Sequence, residues 1–201
     1  MTNDERDQVT LSDGARFATL TRPGRSGAPA AILLHGGTVH DELGPLAELI
    51  GAEATTYRYD RVAAETSNDS SITAHLTRLE ELRRHWGLDR PVLIGHAAGS
   101  ALALAYAAAH AERVGVIGLL GGVGAADVAA ADLIGWAAAT RCPVYFVHGT
   151  ADPVSAAHAL LLAARTPLAR KRVVVDAGHR PWLEQPEAVR ELLIEIVRAA
   201  G

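Results

Sequence analysis

The sequence is short of several things a protein can use as staples, anchors or docking charge. It has one cysteine, Cys142, so no disulfide can close within the chain. A reducing, cytoplasmic setting is the expectation. Lysine occurs once, at Lys171. The remaining basic residues are arginines, a bias that fits GC-rich coding better than any function. Net charge is −4 with 19 basic residues, and no basic block stands out. Nucleic acid is therefore not an expected partner. No apolar run reaches the ~18 residues of a membrane span, so no membrane partner is expected either. The first residues, Met1-Thr2-Asn3-Asp4-Glu5-Arg6-Asp7, are polar and acidic and do not read as a secretory signal. No His/Cys/Asp cluster has metal-ligand spacing, so neither a metal nor another cofactor is expected.

What is there is an ordinary globular composition: 201 residues, 49% hydrophobic and 21% charged. One domain over residues 1–201 is expected, with a sizeable core. No internal repeat or dividing linker is visible. Short apolar runs alternate with helical patterns, which predicts an α/β fold with a mainly parallel twisted sheet and helices on both faces. Residues 9–20, broken by Ser12-Asp13-Gly14, read as an opening hairpin. Strands are expected at 30–34, 55–59, 91–94, 114–120, 144–147 and 172–175. Helices are expected at 43–52, 72–86, 98–110, 128–139, 155–164 and 186–199. Leu76, Leu79 and Leu82 share one face of the second helix, and Val189, Leu192, Leu193 and Ile196 one face of the last.

In such a sheet ligands sit outside the carboxyl ends of the strands. The segments that follow strands are therefore site candidates: His35-Gly36-Gly37-Thr38, Asp60-Arg61, 95–99, Gly121-Gly122, 149–153 and Ala177-Gly178-His179.

Residues 91–100, Pro-Val-Leu-Ile-Gly-His-Ala-Ala-Gly-Ser, form a strand, a sharp turn and a helix, with Gly95 and Gly99 flanking the turn. The segment resembles the nucleophile elbow of the α/β-hydrolase superfamily, with Ala97 at the position the family gives to its nucleophilic serine. A methyl group cannot attack a carbonyl. Further segments fit the same superfamily in chain order. His148-Gly149-Thr150-Ala151-Asp152-Pro153 looks like the loop of the triad acid, Asp152. Ala177-Gly178-His179 looks like the loop of the triad histidine, His179. His35-Gly36-Gly37 looks like the oxyanion loop, where a backbone N–H of Gly37 or Thr38 would join that of Ala98. Tyr59-Asp60-Arg61 matches the start of the usual strand-four motif, but Val62-Ala63-Ala64-Glu65 stands where glycines and a serine normally follow. The resemblance covers most of the chain and implies an α/β-hydrolase fold. The 22 residues at 121–142 leave room for one helix and for no cap domain.

Three readings of Ala97 are open. The chain is an enzyme that needs no serine nucleophile, a serine ester or amide hydrolase with serine exchanged for alanine, or a silent binding protein. In the first, His179 held by Asp152 is a general acid and base for elimination, isomerisation, cyclisation or base-assisted hydrolysis of a small carbonyl-containing substrate. His96, His40 and Trp136 are candidate substrate contacts. His40, Asp41 and Glu42 follow the oxyanion loop within reach of the site's mouth, and a solvated loop is the favoured reading of the three. Ser100 lies on the helix and reads as a small packing residue. Trp182 is expected behind His179, and Cys142 as a buried filler. Val128, Leu133, Ile134 and Trp136 look too apolar for a solvated crossover helix, which raises the expectation of a homodimer through it.

Overall fold

A computed structural model of the protein describes residues 4–36, 42–60, 71–124, 128–152 and 156–200. The chain opens with the hairpin of β1 (Glu5–Thr10) and β2 (Arg16–Arg22), paired antiparallel with Val9 opposite Phe17. Its turn has a local cause. The Asp13 carboxylate accepts the Ala15 N–H at 2.9 Å, and Gly14 takes a φ of 83° that a side chain would resist.

Then follow β3 (Ala30–Leu34), α1 (Gly44–Ile50), β4 (Thr55–Tyr59), α2 (Ile72–His85), β5 (Val92–Ala97) and α3 (Ala98–Ala109). The rest is β6 (Ile117–Val123), α4 (Ala130–Ala139), β7 (Val144–Gly149), α5 (Ala156–Arg165), β8 (Ala169–Val174), α6 (Pro181–Glu184) and α7 (Pro186–Arg198). Among the described residues the eight strands form one sheet in the order β1-β2-β4-β3-β5-β6-β7-β8. All pairings from β4 through β3 to β8 are parallel, and β2 joins β4 antiparallel.

The central strands are buried on both faces, so their side chains feed two cores. Ile32 and Leu34 belong to the layer that includes α2, α3, α4 and α5. Ala31 and Leu33 belong to the layer that includes α1 and α7. Alternation along one strand thus serves both cores. Ser71 caps α2 by accepting the Ala74 N–H at 3.2 Å, and Leu79 and Leu82 on its inner face are fully buried. In α3 every residue from Gly99 to Ala107 is buried, which its alanine-rich composition permits.

Several strands depart from expectation: β1 starts at Glu5 rather than Val9, β5 runs to Ala97 rather than Ile94, and β6 and β8 shift further. β6 begins at Ile117 and runs through Gly121 and Gly122 to Val123, where the glycines had read as a strand end. His96 pairs with Leu120 but Ala97 with Val123, so the glycines form a bulge, with φ of 63° and 84°. β8 covers Ala169–Val174 and includes Arg170, Lys171 and Arg172; as an edge strand it does not need the apolar run that residues 172–175 suggested. The connection between β6 and β7, residues 124–143, carries α4.

The apolar surplus expected on α4 is used internally. Leu133 is buried, and Val128, Ile134 and Trp136 pack against the first core. The exposed large apolar side chains lie elsewhere, at Leu160, Leu161, Leu168, Val173, Val175 and Leu183. Among the described residues no helix is long and apolar enough to cross a membrane.

Candidate active site

The turn from β5 into α3 is the sharpest joint in the sheet. Ala97 stands on it with φ 50° and ψ −112°, a conformation that L-residues rarely hold. The turn closes because its neighbours lack side chains. A Cβ on Gly95 would lie 2.5 Å from the Gly99 carbonyl oxygen, and one on Gly99 would lie 1.9 Å from that of Leu34. Gly36, just past β3, presses on the same turn: a Cβ there would lie 2.6 Å from the His96 carbonyl oxygen and 3.1 Å from the Ala98 nitrogen. Ala97 and Ala98 are half-buried, so the tip reaches solvent. Ala98 opens α3, and its N–H is one of the first-turn donors with no acceptor inside the helix.

His179 and Asp152 come together from two strand-end loops. The His179 Nδ1 lies 3.2 Å from both oxygens of the Asp152 carboxylate. The carboxylate is almost wholly buried at 1% exposure, whereas the imidazole keeps 33%. Nδ1 therefore donates, and Nε2 is left with its lone pair on the exposed ring. Gly149 makes room for the crossing of these loops; a Cβ on it would lie 2.0 Å from the Ala177 carbonyl oxygen.

His96 sits beneath His179 and away from solvent. The ring centroids are 4.7 Å apart. Trp182, itself buried, packs edge-on against His96 with ring centroids also 4.7 Å apart. The His96 Nε2 donates to the His179 carbonyl oxygen at 3.2 Å. Its Nδ1 lies 2.9 Å from the Glu42 carboxylate, off the line of an ideal hydrogen bond. Burial holds the His96 imidazole below its ordinary pKa, opposed by Glu42 and aided by neighbouring His179.

Glu42 is the residue the sequence reading placed wrongly. It is no solvated loop residue: its side chain is 5% exposed, against His96 and 3.6 Å from Arg180. A buried imidazole needs a polar neighbour, and nothing in the local sequence ties position 42 to position 96. Glu42 also lines a cavity of about 240 Å³ with Leu33, His35, Tyr59 and Asp60.

Gly37, Thr38, His40 and the stretch after Asp60 lie outside the described residues. Trp136 is half-buried on α4 against the core. Ser100 is fully buried, and its hydroxyl donates to the Gly95 carbonyl at 2.9 Å, which fits a packing role. Burial pushes the Cys142 thiol up to about 11. Among the described residues no group of His, Cys, Asp and Glu could hold a metal ion.

No family model matches the chain. A stretch is 41% identical over 85 residues to a proline iminopeptidase of Saccharolobus solfataricus, covering 38% of this chain and 27% of the relative's length. Solved structures match along nearly all of the chain. Naproxen esterase of Bacillus subtilis superposes with a TM-score of 0.83 at 14% identity, covering 96% of this chain and 91% of its own. A second carboxylesterase of Bacillus subtilis gives 0.83 at 16%, with 97% and 92% covered. A serine-to-alanine mutant of the meta-cleavage product hydrolase of Pseudomonas fluorescens gives 0.81 at 14%, with 97% and 98% covered. Identities this low speak for the fold, and the fold is that of the α/β-hydrolases.

Proposed function

We propose that this chain, with its α/β-hydrolase fold, is a hydrolase of a small carbonyl compound that works by base-assisted attack of water, with no covalent serine intermediate. The observation that carries the reading is the His179–Asp152 contact beside a strained turn whose tip has no hydroxyl. The Nε2 of His179 takes a proton from water as the water oxygen bonds to the carbonyl carbon. The carbonyl oxygen becomes an oxyanion, held by the Ala98 N–H and by a second N–H from Gly37 or Thr38. Collapse of this intermediate breaks the bond to the leaving group, which recovers the proton from the imidazolium. Asp152 fixes the Nδ1–H tautomer and stabilises the imidazolium while it exists. The same groups could hold an enolate during elimination, isomerisation or cyclisation. The named activities of the similar proteins make esters and amides the first classes to test.

A second reading, a serine hydrolase carrying alanine at position 97, is favoured by one observation. The turn keeps its strained φ of 50° although alanine makes no chemical use of it. One experiment separates the two. The protein is incubated with p-nitrophenyl esters, release is followed, and the protein is weighed by mass spectrometry. Water attack predicts turnover without an acyl adduct, lost in His179→Ala. Turnover that appears only in Ala97→Ser, with an acyl adduct, supports the second reading. Turnover that survives His179→Ala overturns both.

A further inference from the structure

We propose that His96, held by Glu42, is a positioning residue for His179: a second imidazole–carboxylate pair that anchors the base through its backbone carbonyl and supports its ring from below. The inference rests on reading His179 as the base, but its test needs no turnover.

The protons follow from the partners. A carbonyl oxygen only accepts, so the His96 Nε2 at 3.2 Å from the His179 oxygen carries hydrogen. The other nitrogen lies 2.9 Å from a Glu42 carboxyl oxygen, a contact that binds only while a proton sits between the two, and that shared proton keeps the ring from turning over. One imidazole thus has a fixed orientation between two protein groups. It bonds to the backbone of the very residue whose side chain binds Asp152. Neither His96 nor Glu42 is open to solvent, with side chains 4% and 5% exposed, so water cannot readily substitute for either contact.

The surrounding backbone is shaped around this contact. The β6 bulge places Gly121 against it at φ 63°; a Cβ there would lie 2.4 Å from the His179 oxygen and 2.9 Å from the His96 ring. Trp182 packs edge-on against the same His96 ring. The charged and titratable groups around the two imidazoles come from several elements. Glu42 lies before α1 and Asp152 after β7. Arg180 approaches Glu42 at 3.6 Å, and Glu184 of α6 accepts the Gly178 N–H at 2.8 Å. The loop that carries His179 is therefore tied on one side by Glu184 and on the other by His96. The closeness of the two rings works against both being charged together, and burial lowers the His96 pKa while Glu42 raises it.

A purely space-filling role and a positioning role predict opposite orders for two substitutions. His96→Phe keeps a ring and loses the donor. His96→Gln loses the ring and keeps an N–H that can reach the same carbonyl. The readouts are the Nδ1–H resonance of His179 in a ¹⁵N-labelled sample and the hydrogen exchange of the backbone at residues 178–180. The resonance is expected in the parent and in His96→Gln, and lost to exchange in His96→Phe. Exchange of the loop amides is expected to rise about tenfold in His96→Phe, the value of one net hydrogen bond. Glu42→Ala, which frees the ring without touching it, is expected to weaken the resonance in the same direction and serves if His96→Phe does not fold. An undiminished resonance in both His96→Phe and Glu42→Ala overturns the inference, as does a His96→Gln spectrum no better than that of His96→Phe. Absence of the resonance in the parent would instead count against the His179–Asp152 base itself.

Discussion

At the scale of single residues, the costs and the chemistry meet at the β5–α3 turn. An alanine at φ 50° carries backbone strain of roughly 1–3 kcal/mol, and it persists because Gly36, Gly95 and Gly99 pack backbone against backbone around it. Gly99→Ala is expected to be the most damaging of the small changes here, since its Cβ would overlap the Leu34 carbonyl. A loss of several kcal/mol in urea unfolding, or failure to fold, is the expected outcome; an unperturbed variant would mean the helix can slide off the sheet. Ala97→Ser puts a hydroxyl on the same strained tip. In a serine protease with the same kind of triad on an unrelated fold, removing the nucleophile costs on the order of a million-fold in kcat. A clear rise in activated-ester hydrolysis is therefore expected from the added hydroxyl. A crystal structure with that hydroxyl turned away from His179 would show that the turn no longer serves a nucleophile. Asp152 and His179 are expected to fail as one device. Each single alanine variant should lose nearly all native activity, and the double variant little more. Additive losses in steady-state kinetics would separate their roles.

At the scale of elements, α2 and α3 are joined by a polar cluster inside an otherwise apolar contact. The Glu80 carboxylate takes hydrogen bonds from Arg83, from Arg84 and, at 2.5 Å, from the Tyr106 hydroxyl of α3. Arg83 foremost, with Tyr106 and Arg84, holds the Glu80 carboxyl down at about 2, against burial. The unfolded chain has Glu80 near 4.5. The stabilisation is thus full above the unfolded value and disappears as pH falls through the window from about 4.5 to 2. Its size is on the order of 3 kcal/mol. Urea unfolding of the parent and Glu80→Gln is expected to show a gap at pH 6 that closes towards pH 2. A gap independent of pH would assign the cluster to packing alone. Elements of this kind were legible only in part. The leucine spacing of α2 and the apolar face of α7 announced both helices, because amphipathic periodicity is local. The end of β6 was not legible, since glycines that usually stop a strand here make room for a contact between His96 and His179. Nor was β8, whose run of basic side chains is tolerated only at a sheet edge. In the site, strand ends pointed to the segments, and the resemblance to the α/β-hydrolases singled out Ala97, Asp152 and His179 within them. Glu42 was missed because its burial depends on a partner brought in by a distant strand.

At the scale of the molecule, one sheet serves two cores, and its central strand links them. Leu33 and Leu34 are adjacent in β3, both essentially fully buried, and point to opposite layers. Leu→Ala at a site of this kind costs about 2–5 kcal/mol through lost transfer energy and the cavity left behind. Neither change should remain local. Both residues hang from a backbone that pairs with β4 on one side and β5 on the other, between parallel strands that cannot fold as isolated hairpins. Leu33→Ala and Leu34→Ala are each expected to move a single unfolding transition, read alike by far-UV and near-UV circular dichroism. Their effects should also be nearly additive, because the two side chains share no packing partners across the sheet. A variant in which the two signals unfold at different urea concentrations would divide the molecule into layers that fail separately. The carboxyl ends of the strands would then be positioned by one layer alone. Coincident transitions instead mean that the turn at Ala97, the loop of Asp152 and the loop of His179 are held by the stability of the whole sheet. A core substitution on either face would then weaken the site through the folded fraction, before moving any of its groups.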